Sequence, residues 1–398
     1  MRKIISAILL LVIFNCYTVN IFANNDSKNR AEKDSAYQSM SIELNIDVMA
    51  AYLIEAKTGT VLYATNEFEK ASIASVTKVM TLLLVCEALE EGRIHLDDIV
   101  TVSANAASMG GSQVYLEEGE RISVEELIKS TVIASGNDAS VALAEYCAGS
   151  ESEFVRQMNE KAIKLGLKNT HFENTTGLDD TTVDHYSCAS DIGKISRELI
   201  KYEIILKYSS IWQDSIRNGE FILTNTNRLV RYYDGCNGLK TGSTDKAGYC
   251  ISATAKRGNM QLIAVVLGAE SREKRNDAAK TLLDFGFANY SLYEKNEEFI
   301  EKCKVKRGTS LDVDIYSEKF NFVVSKNKYN KVELEYVIPE FLNAPIENGQ
   351  IIGSVVYKVD GIQVGKSNIY AATTVKEITL GNIFENIIKR MIIGELSS

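Results

Sequence analysis

Ala74-Ser75-Val76-Thr77-Lys78 heads the apolar run Val79-Met80-Thr81-Leu82-Leu83-Leu84-Val85-Cys86, which continues through Glu87-Ala88-Leu89 to Gly92. Apolar residues take nearly every side of its first half. That pattern predicts a buried helix, with Gly92 as its stop. A serine and a lysine three apart on a helix share a face. Serine is a weak nucleophile at its free pKa, and burial lowers a lysine pKa until the amine can take a proton. Ser75 and Lys78 in a dry interior therefore suit nucleophilic catalysis. The competing reading is an N-cap serine followed one turn later by a solvated lysine, since S-x-x-K is common in chains of this length.

Strand patterns bracket the helix. Before it, Val48 to Ile54 and Thr60 to Tyr63 flank Lys57-Thr58-Gly59 as a hairpin. After it, residues 95 to 235 read as mainly helical with long loops, the clear segments being Val124 to Thr131, Asp138 to Ala148, Ser152 to Leu165 and Ser190 to Lys201. Ala247 to Lys256 and Met260 to Leu267 form a second hairpin across Arg257-Gly258-Asn259, and Ser271 to Phe287 is a last helix. The order implies an α/β fold: an antiparallel sheet, with strands from both ends of the domain, flanked by a mainly helical insertion. From about Tyr293 the period changes to two, in Leu311-Val313-Ile315, Phe320-Phe322-Val324 and Val332-Leu334-Tyr336. This predicts a small all-β domain at 293–377, after a catalytic domain at 41–292. Leu380 to Ile393 reads as an amphipathic helix within a terminal segment, 378–398.

At 398 residues, with 45% hydrophobic and 24% charged residues, the chain is long enough for two domains of ordinary globular composition. A net charge of −9 leaves no electrostatic footprint for nucleic acid. Arg2-Lys3, the apolar run Ile4 to Phe14, and Ile21-Phe22-Ala23 form an export signal at 1–23, with cleavage after Ala23. The polar stretch 24–40 reads as a mobile leader. Six of the seven cysteines follow that cleavage point, none in a C-x-x-C pair. They read mostly as free core thiols, and no zinc ribbon or redox motif is expected. The three histidines form no H-E-x-x-H or H-x-x-E-H pattern. His185 reads as structuring a loop, and His95 as a surface residue.

Two further motifs complete the first. Ser135-Gly136-Asn137 lies between helical segments, and Lys240-Thr241-Gly242 precedes the second hairpin. The chain also carries copies of all three: Lys57-Thr58-Gly59, Ser243-Thr244-Asp245-Lys246, and Ser103-Ala104-Asn105. Setting separates them. Lys57 belongs to a hairpin loop, Ser243 to Lys246 to a turn beside strands, and Ser103 to a helix start as N-cap.

With helix, loop and strand in the order S-x-x-K, S-x-N, K-T-G, the chain resembles the serine-type D-alanyl-D-alanine carboxypeptidases, the low-molecular-mass penicillin-binding proteins. The resemblance covers about residues 45 to 376. It includes Ser108 to Glu120, Asn225-Thr226-Asn227, Lys240 to Gly248, and Ala344-Pro345-Ile346 with Gly349 and Gly353. The chain departs from the family at Ile73, where proline is frequent, and at Cys188-Ala189-Ser190-Asp191.

The resemblance implies a β-lactamase/DD-peptidase-like fold and a set of roles. Ser75 would attack the penultimate D-alanine carbonyl, with Lys78 as general base. Ser135, held by Asn137, would relay a proton to the leaving amine. Asn137, Lys240, Thr241 and Gly242 would bind substrate, Lys240 and Thr241 taking the terminal carboxylate. The backbone N–H groups of Ser75 and Ser243 would hold the oxyanion. No cofactor or metal is called for. The implied partners are peptidoglycan stem peptides ending in D-Ala-D-Ala, β-lactams as covalent inhibitors, and a membrane surface met by the terminal helix of an exported protein.

Two other functions share these motifs. A class A-like β-lactamase would carry S-D-N and a deacylating glutamate. Here Gly136 replaces the aspartate, and Glu173 is only a loose candidate for the glutamate. A β-lactam-binding sensor or scaffold would need a membrane-spanning helix, and no window after residue 20 is long and apolar enough to provide one.

Overall fold

The structure, a computed structural model, describes residues 44–180, 182–384 and 388. The signal peptide expected at 1–23, the leader expected at 24–40, and residues 385–387 and 389–398 of the expected tail helix lie outside the described residues. The unit from Ile46 onward carries all the elements below.

Strand β1 (Ala50–Glu55) is buried along its whole length, because helices cover both faces of its sheet, Gly193 lying against Tyr52 and Ile54 and Gly286 against Leu53. Its partner β2 (Val61–Thr65) forms the sheet edge. The turn between them is fixed by Glu55, whose carboxylate accepts from the Lys57 and Thr58 N–H groups and the Thr58 hydroxyl. Helix α1 (Lys78–Glu90) follows a 3-10 turn over Ala74–Thr77, and the chain leaves it at Gly92 with φ +68°. Every residue from Lys78 to Cys86 is buried, as apolar residues on all sides require.

The helices around α1 are α2 (Val124–Val132), α3 (Asn137–Ala148), α4 (Glu151–Lys164), α5 (Ala189–Leu199) and α6 (Glu203–Ser209). Within this region the structure adds a hairpin that the sequence reading passed over as loop, β3 (Gln213–Ile216) with β4 (Phe221–Thr224), and then the short helix α7 (Leu229–Tyr232). Alternation in β3 and β4 is too brief to stand out; only Ile216 and Leu223 are buried.

The chain then returns to the main sheet with β5 (Cys236–Thr244), β6 (Gly248–Arg257) and β7 (Met260–Ala269). The sheet order is β2-β1-β7-β6-β5, antiparallel throughout. Strands from both ends of the domain thus pair at its centre, and β5 becomes an edge beside α1. Helix α8 (Arg272–Asn289) closes this part.

The all-β region begins with β8 (Tyr290–Lys295) and β9 (Glu298–Lys306). It continues with β10 (Asp312–Ser317), β11 (Phe320–Ser325), β12 (Val332–Val337), β13 (Phe341–Asn343), β14 (Ile351–Val359) and β15 (Ile362–Ala371). A six-stranded sheet in the order β12-β14-β15-β10-β9-β13 and the β8–β11 pair enclose a core that includes Val313, Ile315, Phe322, Val355, Tyr357 and Ile369.

One expectation changes here. Leu311, read as a strand residue facing inward, precedes β10 and is 85% exposed. The last full strand is Ile362–Ala371, and Val375 adds only an isolated bridge to Ile346. Beyond it, residues 380–384 and 388 are helical, with Leu380 and Phe384 exposed. Among the described residues no helix is long and apolar enough to cross a membrane.

Candidate active site

The 3-10 turn at the head of α1 sets Ser75 one step ahead of the helix, with Ala74 at φ +46°. The Lys78 amine lies 2.9 Å from Ser75 Oγ, 2.6 Å from Asn137 Oδ1 and 2.9 Å from the Thr176 carbonyl. A neutral lysine has two hydrogens and one lone pair. Asn137 and Thr176 can only accept, so they take both hydrogens and leave the lone pair facing the Ser75 hydroxyl. Burial pushes the Lys78 pKa well below its ordinary value, and nearby Lys240 lowers it further. This is the arrangement of a nucleophile with its base already in contact.

The loop supplying Thr176 presses directly on the nucleophile turn. Gly177 has φ +82°, and a Cβ there would sit 1.9 Å from the Ala74 carbonyl oxygen. His185 secures the same turn from below. Its Nδ1 accepts the Glu173 N–H at 3.0 Å, so Nε2 carries the proton and donates to Thr77 Oγ1 at 2.8 Å. Burial holds its pKa down at about 4, so the ring is neutral in this role. Glu173, the loose candidate for a deacylating base, has its carboxylate on the Val183 and Asp184 N–H groups instead.

The second motif sits at the start of α3. Ser135 is buried, lines the cleft, and has φ +64°. Asn137 was expected to hold it. The structure commits the Asn137 amide elsewhere, to Lys78 through Oδ1 and to the Gly110 carbonyl through Nδ2 at 2.7 Å, with one N–H left over. The Ser135 backbone is carried instead by the Gly136 N–H bond to the Ser130 carbonyl. Asp138 takes the N–H groups of Val114 and Leu116, which pins the Gly110–Leu116 loop over the site.

The third motif lies on β5, the sheet edge. A Cβ on Gly242 would stand 2.7 Å from the Ser75 nitrogen, so only glycine lets the strand lie against the nucleophile turn. Thr241 Oγ1 donates to Thr226 Oγ1 at 2.9 Å. Lys240 is 1% exposed, its amine bonds the Thr241 carbonyl at 2.9 Å, and burial lowers its pKa to about 7. The amine expected to meet a carboxylate is thus buried, close enough to Lys78 for its charge to act there.

A cleft of about 520 Å³ runs along the β5 edge, and its walls include Ser75, Ser112, Ser135, Thr241, Ser243 and three arginines, Arg228, Arg272 and Arg275. Among the described residues the Arg275 side chain of α8 bonds only the neighbouring Asn276 side chain, and burial brings its pKa down to about 10. Sequence reading missed it, because nothing marks one arginine on a charged helix start as facing a cleft three strands away. Two of the motif copies lie apart from this assembly, whereas the third, Ser243 to Lys246, starts on β5 with Ser243 in the cleft wall. Lys57 pairs with Glu294, and Ser103 caps Ala104–Ala107 by accepting the Ala106 N–H.

Comparison with known proteins gives the same outline. Residues 35–271 match the family described as D-alanyl-D-alanine carboxypeptidase, and residues 287–377 match the penicillin-binding protein 5 C-terminal domain. The D-alanyl-D-alanine carboxypeptidase DacF of Bacillus subtilis is 42% identical over 385 residues, covering 95% of each chain. The crystal structure of penicillin-binding protein 5 from Haemophilus influenzae superposes with a TM-score of 0.75 at 33% identity, over 84% of this chain and 99% of that one. Penicillin-binding protein D2 from Listeria monocytogenes, solved in its ampicillin-bound form, superposes at 0.57 with 32% identity, over 61% and 99%. The nucleophile with its base, the three motifs on one cleft and the appended β domain all agree with these matches, and the chain belongs to the D-alanyl-D-alanine carboxypeptidase family of serine peptidases.

Proposed function

We propose that this chain removes the terminal D-alanine from peptidoglycan stem pentapeptides through an acyl-enzyme on Ser75, and that penicillins acylate the same hydroxyl. The observation that carries the reading is the buried Lys78 amine 2.9 Å from Ser75 Oγ, with Asn137 Oδ1 and the Thr176 carbonyl as two fixed acceptors for its hydrogens. Lys78 takes the Ser75 proton as the Oγ–carbon bond forms, and the backbone N–H groups of Ser75 and Ser243 hold the oxyanion. Ser135 passes a proton to the leaving amine, the amide bond breaks, and water then hydrolyses the ester. The substrate backbone lies along β5 as an added strand, which Gly242 permits, and the free N–H of Asn137 faces its acyl part. The terminal carboxylate meets the Thr241 hydroxyl and the Arg275 guanidinium, with buried Lys240 adding positive charge. Engagement of Glu173 by backbone N–H groups disfavours the β-lactamase alternative.

Export and membrane association extend this reading. The signal at 1–23 would deliver the chain across the cell membrane. The apolar stripe Ile383-Phe384, Ile387-Ile388 and Met391-Ile392 would then lie in the outer membrane surface, opposite Glu385-Asn386 and Lys389-Arg390. The exposure of Leu380 and Phe384 supports it.

The test is release of D-alanine from a pentapeptide, read beside mass spectrometry of the protein mixed with penicillin. A long-lived adduct with peptide turnover, both lost in Ser75→Ala, is the expected result. Rapid penicillin loss without peptide turnover would establish the β-lactamase alternative, and an adduct without turnover the sensor.

A further inference from the structure

The outward face of the six-stranded sheet carries a row of large apolar side chains. Alternation sends Val313 and Ile315 of β10, and Ile369 and Ala371 of β15, into the core, so Tyr316 and Tyr370 take the other face. Cross-strand register lines them up. Phe299 of β9 stands opposite Tyr316, Tyr316 opposite Tyr370, and Tyr370 opposite Ile351 of β14. The Phe299 and Tyr316 ring centroids are 5.6 Å apart, edge to face, and those of Tyr316 and Tyr370 are 6.2 Å apart with their planes 23° from parallel. Cross-strand aromatic pairs help to hold a sheet together. Here both ends of the row also stay open, Phe299 at 49% and Ile351 at 60% exposure.

Acceptors edge the row. The Tyr370 hydroxyl donates to the Glu297 carboxylate, and the Glu318 carboxylate accepts the Asn368 N–H at 3.2 Å. Neither carboxylate is in an ion pair among the described residues. Lys302, further along β9, lies 3.7 Å from Asp312 and 3.9 Å from Asp314. This charge selects the occupant. An anionic lipid surface would be repelled, and a second copy of the chain would bring the same carboxylates against themselves. An uncharged chain of sugar rings fits, because each ring covers an aromatic with its C–H face and turns hydroxyl and amide donors to the carboxylates. We propose that this row seats the glycan strand of peptidoglycan, at a site separate from the cleft that takes the stem peptide.

The choice of this polymer rests on the carboxypeptidase reading, since the stem peptides hang from that strand. A protein held on the glycan meets those peptides at a raised effective concentration. The row therefore acts on wall-bound substrate and leaves the chemistry at Ser75 as it is. Free peptide, which has no glycan to grip, gains nothing from it.

The experiment titrates the purified full chain with soluble glycan strands stripped of their stem peptides, by isothermal titration calorimetry. Beside it, D-alanine release is measured from a free pentapeptide and from intact peptidoglycan. The wild type should bind the stripped strands. Phe299→Ala and Tyr316→Leu should each weaken that binding at least about fivefold and raise KM on intact peptidoglycan, with kcat/KM on the free pentapeptide unchanged. Tyr316→Leu keeps apolar bulk on the strand and should melt with the wild type, so binding lost there reports on the ring and not on the fold. A wild type that cleaves the pentapeptide and ignores the stripped strands overturns the inference and leaves the carboxypeptidase reading standing. Failure on the pentapeptide overturns that reading and, with it, the choice of polymer. Unchanged strand binding in both variants overturns the assignment of this row. Loss of liposome binding or of a dimer in Phe299→Ala, with strand binding intact, gives the row to lipid or to a second copy and overturns it too.

Discussion

Lys240 and Lys57 carry the same three-residue motif and differ only in what surrounds them. Lys240 is buried beside Lys78 and the cleft, whereas Lys57 is partly exposed and paired with Glu294. Lys240→Ala should cost roughly 1.5–3 kcal/mol of transition-state binding, or about ten- to hundredfold in kcat/KM. Lys57→Ala should be nearly silent in the same assay, and the reverse ranking would reassign the motif. His185 gives a pH signature of a different kind. The unfolded chain takes up a proton at this ring near the ordinary value of 6.5, and the folded chain only near 4. The unfolded state therefore binds more protons between those values, and stability falls as pH drops through the window. The loss is of order 3 kcal/mol once pH 4 is reached. Thermal melts of the wild type and His185→Gln should show the slope between pH 6.5 and 4 reduced in the variant.

At the scale of elements, the site depends on a loop pressed against a turn. Gly177 lets the loop reach Ala74 closely enough for the Thr176 carbonyl to meet Lys78. Gly177→Ala would combine a positive φ with a Cβ inside the Ala74 carbonyl, so the two segments must separate. Penicillin labelling should fall sharply, and a calorimetric melt should show a loss above about 3 kcal/mol, at the upper end for single substitutions. Full labelling with an unchanged melt would show that the loop relaxes without moving Lys78. The edge position of β5 is the matching element-level fact. Its inner side is paired with β6, and its outer side pairs with no strand among the described residues.

For the whole molecule, the question is what the terminal segment does beyond the β domain. Residues 380–384 continue as helix after the Ile346–Val375 bridge has closed the domain, and Leu380 and Phe384 stay exposed. The apolar stripe is short and its basic residues are two, so binding to a bilayer should be reversible and helped by anionic lipid. Truncation after Thr379 should leave activity on soluble peptide unchanged and abolish cosedimentation with anionic liposomes. Unchanged liposome binding, or a collapsed β domain, would mean that the helix packs on the protein.

The sequence alone determined the elements with long, strong periods: the buried helix after Ser75, the hairpin around Gly258, and the alternating strands after Tyr293. Their residues are chosen by local periodicity, which survives in one dimension. It also determined which serines and lysines to examine, because the three motifs stand in a fixed order. Only the tertiary structure decided how they are held. Asn137 supports Lys78 rather than Ser135, His185 clamps Thr77, and the Lys240 amine bonds the Thr241 carbonyl while Arg275 of α8 faces the cleft. Each of these contacts except that of Lys240 joins residues far apart in the chain. Their geometry follows from the antiparallel sheet bringing its two ends together, and no local pattern of residues encodes that meeting.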